Sequence, residues 1–137
     1  MIEFQHSAIK AEEVKKRCDF YGNVIWVVDA TRRPTDAKQY AEMLDWCRTE
    51  RFGDVDIHTV HYNETRLLRE WGSIGRIVGF DFGGDHLSLL TAAQGTSRYL
   101  FDFPKAAFVK SVTEGEPLPT VQFKKPVQRR HRRRRRY

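Results

Sequence analysis

The chain has 137 residues, 40% of them hydrophobic and 12% aromatic, enough for one domain with a real core and too few for two. No stretch approaches the ~18 apolar residues that cross a bilayer, no signal-peptide pattern opens the chain, and two cysteines in helix-like segments, Cys18 and Cys47, make no disulfide framework, so a reducing cytoplasm is expected. The formal charge of +6 hides an asymmetry: nine of the 24 Lys and Arg residues lie in the last 17 positions, which hold no acid, while residues 1–120 carry 15 basic against 18 acidic side chains, a net −3.

Ile2 to Gln5 alternates apolar and polar, as a short strand does. Ser7 can cap a helix behind it, with Glu12 and Glu13 in the first turns, where carboxylates suit the helix dipole. Ala11, Val14, Cys18 and Tyr21 recur at helical spacing, and Gly22-Asn23 supplies a left-handed stop. Val24 to Val28 is a continuous β-branched and aromatic run, which predicts a strand buried on both faces in a parallel sheet. Strand, helix and strand then form a βαβ unit with a right-handed crossover.

Asp29 to Pro34 reads as a polar turn. From Thr35 or Asp36 the spacing predicts a second helix to about Phe52, with Ala37, Tyr40, Ala41, Leu44 and Cys47 on one face and Gly53 at its end. Asp56 to His61 alternates as a strand, and Thr65 to Trp71 suggests a short helix. Arg76 to Phe82 and His86 to Thr91 are β-rich and joined by Gly83-Gly84-Asp85, a hairpin signal. Gln94-Gly95-Thr96 turns into a further strand from Arg98 to Phe103, which completes an antiparallel meander. The stretch from Ala106 to Val112 is left unassigned. From about Glu114 the chain becomes Pro-containing and then basic, and disorder in isolation is expected there. Two regions follow: a folded one over residues 1–113, and a linker with an Arg-rich tail over 114–137.

Glu3 and Gln5 are two apart on the first strand, so they share one face, with Ile2 and Phe4 on the other. That arrangement suits a hydrolase in which a carboxylate holds a hard cation while its neighbour orients water. The block Ile2-Glu3-Phe4-Gln5-His6-Ser7-Ala8-Ile9, with Glu12-Glu13-Val14, Arg17, Phe20-Tyr21-Gly22-Asn23 and Ile25-Trp26-Val27-Val28-Asp29, resembles the nuclease-like domain of the CoiA competence protein family. That family belongs to the PD-(D/E)XK nuclease superfamily, with Gln in place of the usual Lys. The close resemblance covers residues 2–29 and is looser beyond them, where it rests on the β-rich segment after Trp71.

The resemblance implies an α/β fold: a βαβ half of a PD-(D/E)XK-like core followed by a small antiparallel β-rich extension and the disordered basic tail. It makes Glu3 a ligand of Mg²⁺ or Mn²⁺ and the backbone carbonyl of Phe4 a second oxygen ligand, in keeping with the all-oxygen shells of hard cations. Gln5 would orient the attacking water, although an amide brings no charge and is no general base, which leaves activation to the metal. In the superfamily a preceding strand carries the acidic partner ligand, whereas this sequence opens on the catalytic strand itself. A truncated site is therefore expected, completed by an upstream segment or by a partner chain, with the strand's free edge exposed.

Other motifs carry less. His6 follows the catalytic strand and reads first as a local hydrogen-bonding residue. His58 and His61 lie three apart on a strand, on opposite faces, which argues against a zinc pair. Asp81-Phe82-Gly83 matches a kinase tripeptide at a hairpin, without the other kinase motifs. Cys18 reads as a core residue. In the tail, Lys124, Lys125, Arg129, Arg130, Arg132, Arg133, Arg134, Arg135 and Arg136 have a charge density suited to phosphate backbones, with His131 and Tyr137 available for stacking. The expected function is a CoiA-like, metal-dependent nuclease-type domain acting on DNA, in a bacterial or phage setting of DNA uptake, recombination or DNA processing. The alternative is a non-catalytic nucleic-acid-binding remnant of that fold, which works through its tail.

Overall fold

The computed structural model describes residues 1–119, without the side chains of residues 92–94. In chain order the elements are β1 (Ile2–Gln5), α1 (Ala11–Tyr21), β2 (Ile25–Asp29), α2 (Pro34–Trp46), β3 (Arg48–Phe52), β4 (Val55–His61), α3 (Arg66–Trp71), β5 (Val78–Asp81), β6 (His86–Gln94), β7 (Ser97–Pro104) and α4 (Lys105–Thr113). All the strands join one sheet in the order β1-β2-β5-β6-β7-β4-β3. The β1–β2 and β2–β5 ladders are parallel and the other four are antiparallel. The fold is thus mixed α/β, with a mostly antiparallel sheet.

Strand alternation splits the core into two layers. On one face Trp26, Val28, Val78, Phe80, Leu90 and Leu100 meet Val14 and Cys18 of α1, Tyr40 and Met43 of α2, and Leu67, Leu68 and Trp71 of α3. On the other, Val27, Leu87, Leu89 and Phe101 pack under Phe108 of α4. The deepest contact of the first layer is aromatic: the Trp26 and Trp71 rings lie 5.2 Å apart at 52°. Trp26 Nε1 also donates to Cys18 Sγ at 3.4 Å, so the Cys18 thiol is a core group, as its helical spacing suggested.

The opening strand, helix and strand form the expected parallel βαβ unit. β2 is buried through Trp26, Val27 and Val28 and flanked by parallel partners on both sides. The stop after α1 is Gly22 at φ +72°, which a side chain would resist. The helix begins later than expected, however. Lys10 stands at its N-cap without a side-chain bond, and Ser7 lies outside the helix, accepting from Gln5 Nε2.

The second helix is shorter than its spacing predicted. It ends at Trp46, and residues expected to continue it form β3. The register pairs Phe52 with Val55, so Gly53-Asp54 is a two-residue hairpin loop, with Gly53 at φ +60°. Gly53 therefore closes a hairpin instead of stopping a helix. The buried face of α2 is set by Asp36, Tyr40 and Met43, while Ala37 and Ala41 are exposed.

The β5–β6 hairpin and the turn at Gly95 (φ +59°) stand as expected, but these strands do not make a separate extension. β5 pairs with β2 and β7 with β4, which fuses the meander into the single sheet. The unassigned stretch is α4, whose Phe108 covers the second layer. The basic residues from Lys124 onward lie outside the described residues.

Burial ranks the aromatic residues for mutation. Phe80→Ala, at a fully buried site, should cost about 3–5 kcal/mol. Phe20→Ala, at a site 83% exposed, should stay within about 0.5 kcal/mol. Urea unfolding midpoints of the two variants measure the contrast.

Candidate functional site

β1 is an edge strand. Its register pairs Glu3 with Trp26 and Gln5 with Val28, which places both polar side chains on the face covered by α1, α2 and α3. Phe4 points to the opposite face and is 62% exposed. Ile25 N donates to Met1 O, so the alternation of strand carbonyls turns that of Phe4 away from β2, toward the unpaired edge.

Glu3 and Gln5 share a face but line different spaces. The Glu3 carboxylate sits under α1, in an open groove shared with Lys16, Arg17, Phe20 and Tyr21. Arg17 Nη1 lies 3.2 Å from Glu3 Oε2, and Arg17 Nε lies 3.1 Å from Glu13 Oε1, one helical turn back. One guanidinium thus bridges two carboxylates. The hydrogen bond to Glu13 and the charges of both acids raise the Arg17 pKa further above its already high value.

This geometry tests the implied metal. Glu3 already has a cation against it, and among the described residues no group of three His, Cys, Asp or Glu side chains is placed to hold an ion. One carboxylate and one carbonyl do not by themselves make a Mg²⁺ or Mn²⁺ site, because these ions call for more oxygen ligands. No chemical step can be routed through a metal on these residues alone.

Gln5 lines a different space, a cavity of about 150 Å³ at the C-terminal ends of β1 and β2. In open α/β sheets the crevice beyond the carboxyl ends of parallel strands is where ligands usually bind. Val28, Leu67 and Trp71 are among its apolar lining, and its polar groups come from Gln5, Ser7 and Asp29, from the loop after β2, and from α2 and α3. Asp29 closes a tight turn by accepting from Thr31 N at 2.9 Å and Thr31 Oγ1 at 2.6 Å. Those bonds, with the nearby His6, hold its carboxyl below the ordinary value.

Arg33 is the hub of the cavity wall. Its Nε meets Asp36 Oδ2 at 2.8 Å, and its two terminal nitrogens grip Glu70 at 2.6 and 2.9 Å in a bidentate fork. Arg66 adds a bond to Glu70 at 3.2 Å. Burial alone would raise the Glu70 carboxyl, but the bonds and charges of Arg33 and Arg66 outweigh it and leave the group below its ordinary value. Asp36 is only 3% exposed, and its other oxygen, Oδ1, has no hydrogen-bond partner.

His6 is mostly exposed, with Nδ1 3.7 Å from Asp29 Oδ2. His58 pairs with Thr49 Oγ1 at 2.8 Å and His61 pairs with Asn63, so the two act separately. Sequence reasoning missed Arg33, Asp36 and Glu70. The position of Arg33 and Asp36, just after a buried parallel strand, was a usable signal. Nothing local marked Glu70, which reaches the site from 37 residues away.

Two consequences can be measured. Arg33→Ala leaves the Asp36 carboxylate buried without its counter-charge and should destabilise by on the order of 3 kcal/mol in urea unfolding. Glu70 and Asp29 are depressed from ordinary values of 4.5 and 3.8. Groups with depressed folded pKa values contribute stability above those ordinary values and lose it as pH falls through the folded ones. The urea midpoint should hold from pH 7 to about 5 and decline below about 4.5, with a shallower decline in Glu70→Gln.

No protein family, curated protein or solved structure compared with this chain matches it. What the protein does therefore rests on the chemistry of its own side chains.

Proposed function

We propose that this protein is a nucleic-acid-directed domain of nuclease type, similar to the CoiA nuclease-like domain and acting on DNA. The observation that carries this reading is the β1-α1-β2 unit. It sets Glu3 and Gln5 on one face of an edge strand, with the Phe4 carbonyl turned to the free edge. Glu3 is the residue on which cleavage depends and Gln5 the one that orients water. Mg²⁺ or Mn²⁺ is the implied ion, and its remaining ligands must come from substrate phosphates, an upstream segment or a partner chain.

A second reading has its own support. Arg17 occupies the place beside Glu3 where a cation would sit, as in a scaffold that binds nucleic acid without cutting it. Residues 1–120 carry a net −3, so phosphate binding depends on the basic run from Lys124 to Arg136.

One pair of measurements separates the readings. A nuclease cleaves DNA only with Mg²⁺ or Mn²⁺, loses at least about a hundredfold in rate in Glu3→Ala, and binds DNA as before. A binder shows no metal-dependent cleavage and is indifferent to Glu3. In both, deleting residues 124–136 should sharply weaken binding and flatten the dependence of log K on log salt, by roughly 0.7 to 0.9 for each phosphate that the tail had neutralised.

A further inference from the structure

On the α2 side of the sheet, a groove of about 610 Å³ opens between the β3–β4 and β5–β6 hairpins. Four exposed carboxylates line it: Asp54 and Asp56 from the first hairpin, Asp85 from the second, and Asp102 from β7. His58 and His86 stand among them, and no Lys or Arg belongs to the lining. Of the four acids only Asp56 pairs with a described cation, Arg51 at 3.9 Å, while Asp102 accepts from Ser88 Oγ at 3.1 Å. Neither the chemistry proposed at β1 nor the cavity beside Gln5 uses this groove. We propose that it is the docking surface for the chain's own basic run, Lys124 to Arg136, so that the groove and nucleic acid compete for one tail. The competition rests on the nucleic-acid reading above, and the docking does not.

Charge, wall chemistry and tethering each select that segment. A cleft lined by one sign of charge focuses the field and draws in the opposite sign, and the basic run brings nine Lys and Arg with no acid among them. The groove's acids are spread over two hairpins and β7, and among the described residues no three such groups converge on a point where an ion could sit. That spacing suits a chain carrying several cations better than one bound ion. Phe82 adds an aromatic wall, its ring set 4.6 Å from that of Tyr40 at 38°. Aromatic rings attract guanidinium groups, the group that recurs from Arg132 to Arg136. Arg136 follows Pro119, the last described residue, by 17 positions. Extended chain of that length spans up to ~55 Å, ample for a domain whose radius of gyration is ~14 Å. A tethered segment acts at an effective concentration on the order of millimolar, which favours the chain's own tail over that of a second copy.

Docking is read by NMR on the full chain at low salt, where screening is weakest. Replacing the tail arginines, Arg132→Gln through Arg136→Gln, should move the backbone signals of Gly84, Asp85 and His86 and leave those of α1 in place. Competition is read as affinity for an oligonucleotide. The combined Asp54→Asn, Asp56→Asn and Asp85→Asn variant should bind at least about fivefold tighter, as expected where docking leaves the tail free roughly a fifth of the time. A charge-matched control, Asp19→Asn, Asp45→Asn and Glu64→Gln, alters exposed acids outside the groove. It should gain less than about twofold, because scattered surface charges are screened. Equal gains in the two triple variants mean that net charge alone acts and overturn the proposal. Unmoved groove signals in the arginine variant overturn it as well, and so do signal changes that vanish on dilution, which place a second copy's tail in the groove. If no oligonucleotide binds at all, the nucleic-acid reading fails while the groove signals still decide the docking, so the two fail separately.

Discussion

Burial of β2 on both faces holds the other elements in place. Trp26 and Val28 face the three-helix layer, Val27 faces the layer closed by α4, and all three are nearly inaccessible. A strand buried in this way cannot slip register, because a one-residue shift would exchange both faces at once. With β2 fixed, the pairing of Glu3 with Trp26 and of Gln5 with Val28 is fixed too, and so is the end of the sheet at which Asp29 emerges. The precision of both candidate sites is inherited from that strand.

Arg33 extends this order to the surface. It stands at the start of α2, neutralises Asp36 in the first helical turn and reaches Glu70 on α3, so one guanidinium ties two helices together over the end of β2. A lysine could not do this, because it lacks the planar fork that meets a carboxylate at two points. The Arg17 bridge between Glu3 and Glu13 is a looser counterpart under α1, nearer solvent and tied to a single helix. The two arginines divide this end of the sheet into a partly open polar cavity around Gln5 and a more open groove around Glu3.

Local patterns revealed much of this. The alternation at Ile2 to Gln5, the β-branched run before Asp29 and the glycines at positions 22, 83 and 95 each acted through short-range physics, and the elements formed where expected. The error at residues 48–52 came from competition between two local signals. Helical spacing continued past Trp46, but Gly53-Asp54 favoured a two-residue hairpin, and pairing with β4 satisfied those backbone groups. The buried face of α2 was read only in part, through Tyr40, Leu44 and Cys47, for a related reason. A charged residue, Asp36, lies on it, which hydrophobic spacing cannot anticipate without knowledge of Arg33 as its counter-ion.

The opening βαβ unit, the common face of Glu3 and Gln5, the antiparallel pairs after Trp71 and the charge contrast between residues 1–120 and the last 17 positions were all legible in the sequence. Periodicity, turn chemistry and charge are properties of neighbouring residues, so they can be read along the chain. Tertiary contacts settled that the meander joins the same sheet as β1 and β2, that Arg17 claims Glu3, and that Asp36 is buried with one oxygen unpaired. Those outcomes depend on contacts between residues far apart in the chain, such as Arg33 with Glu70 and Val60 with Arg98. Such contacts are chosen by the free energy of closing the whole core rather than by any local preference.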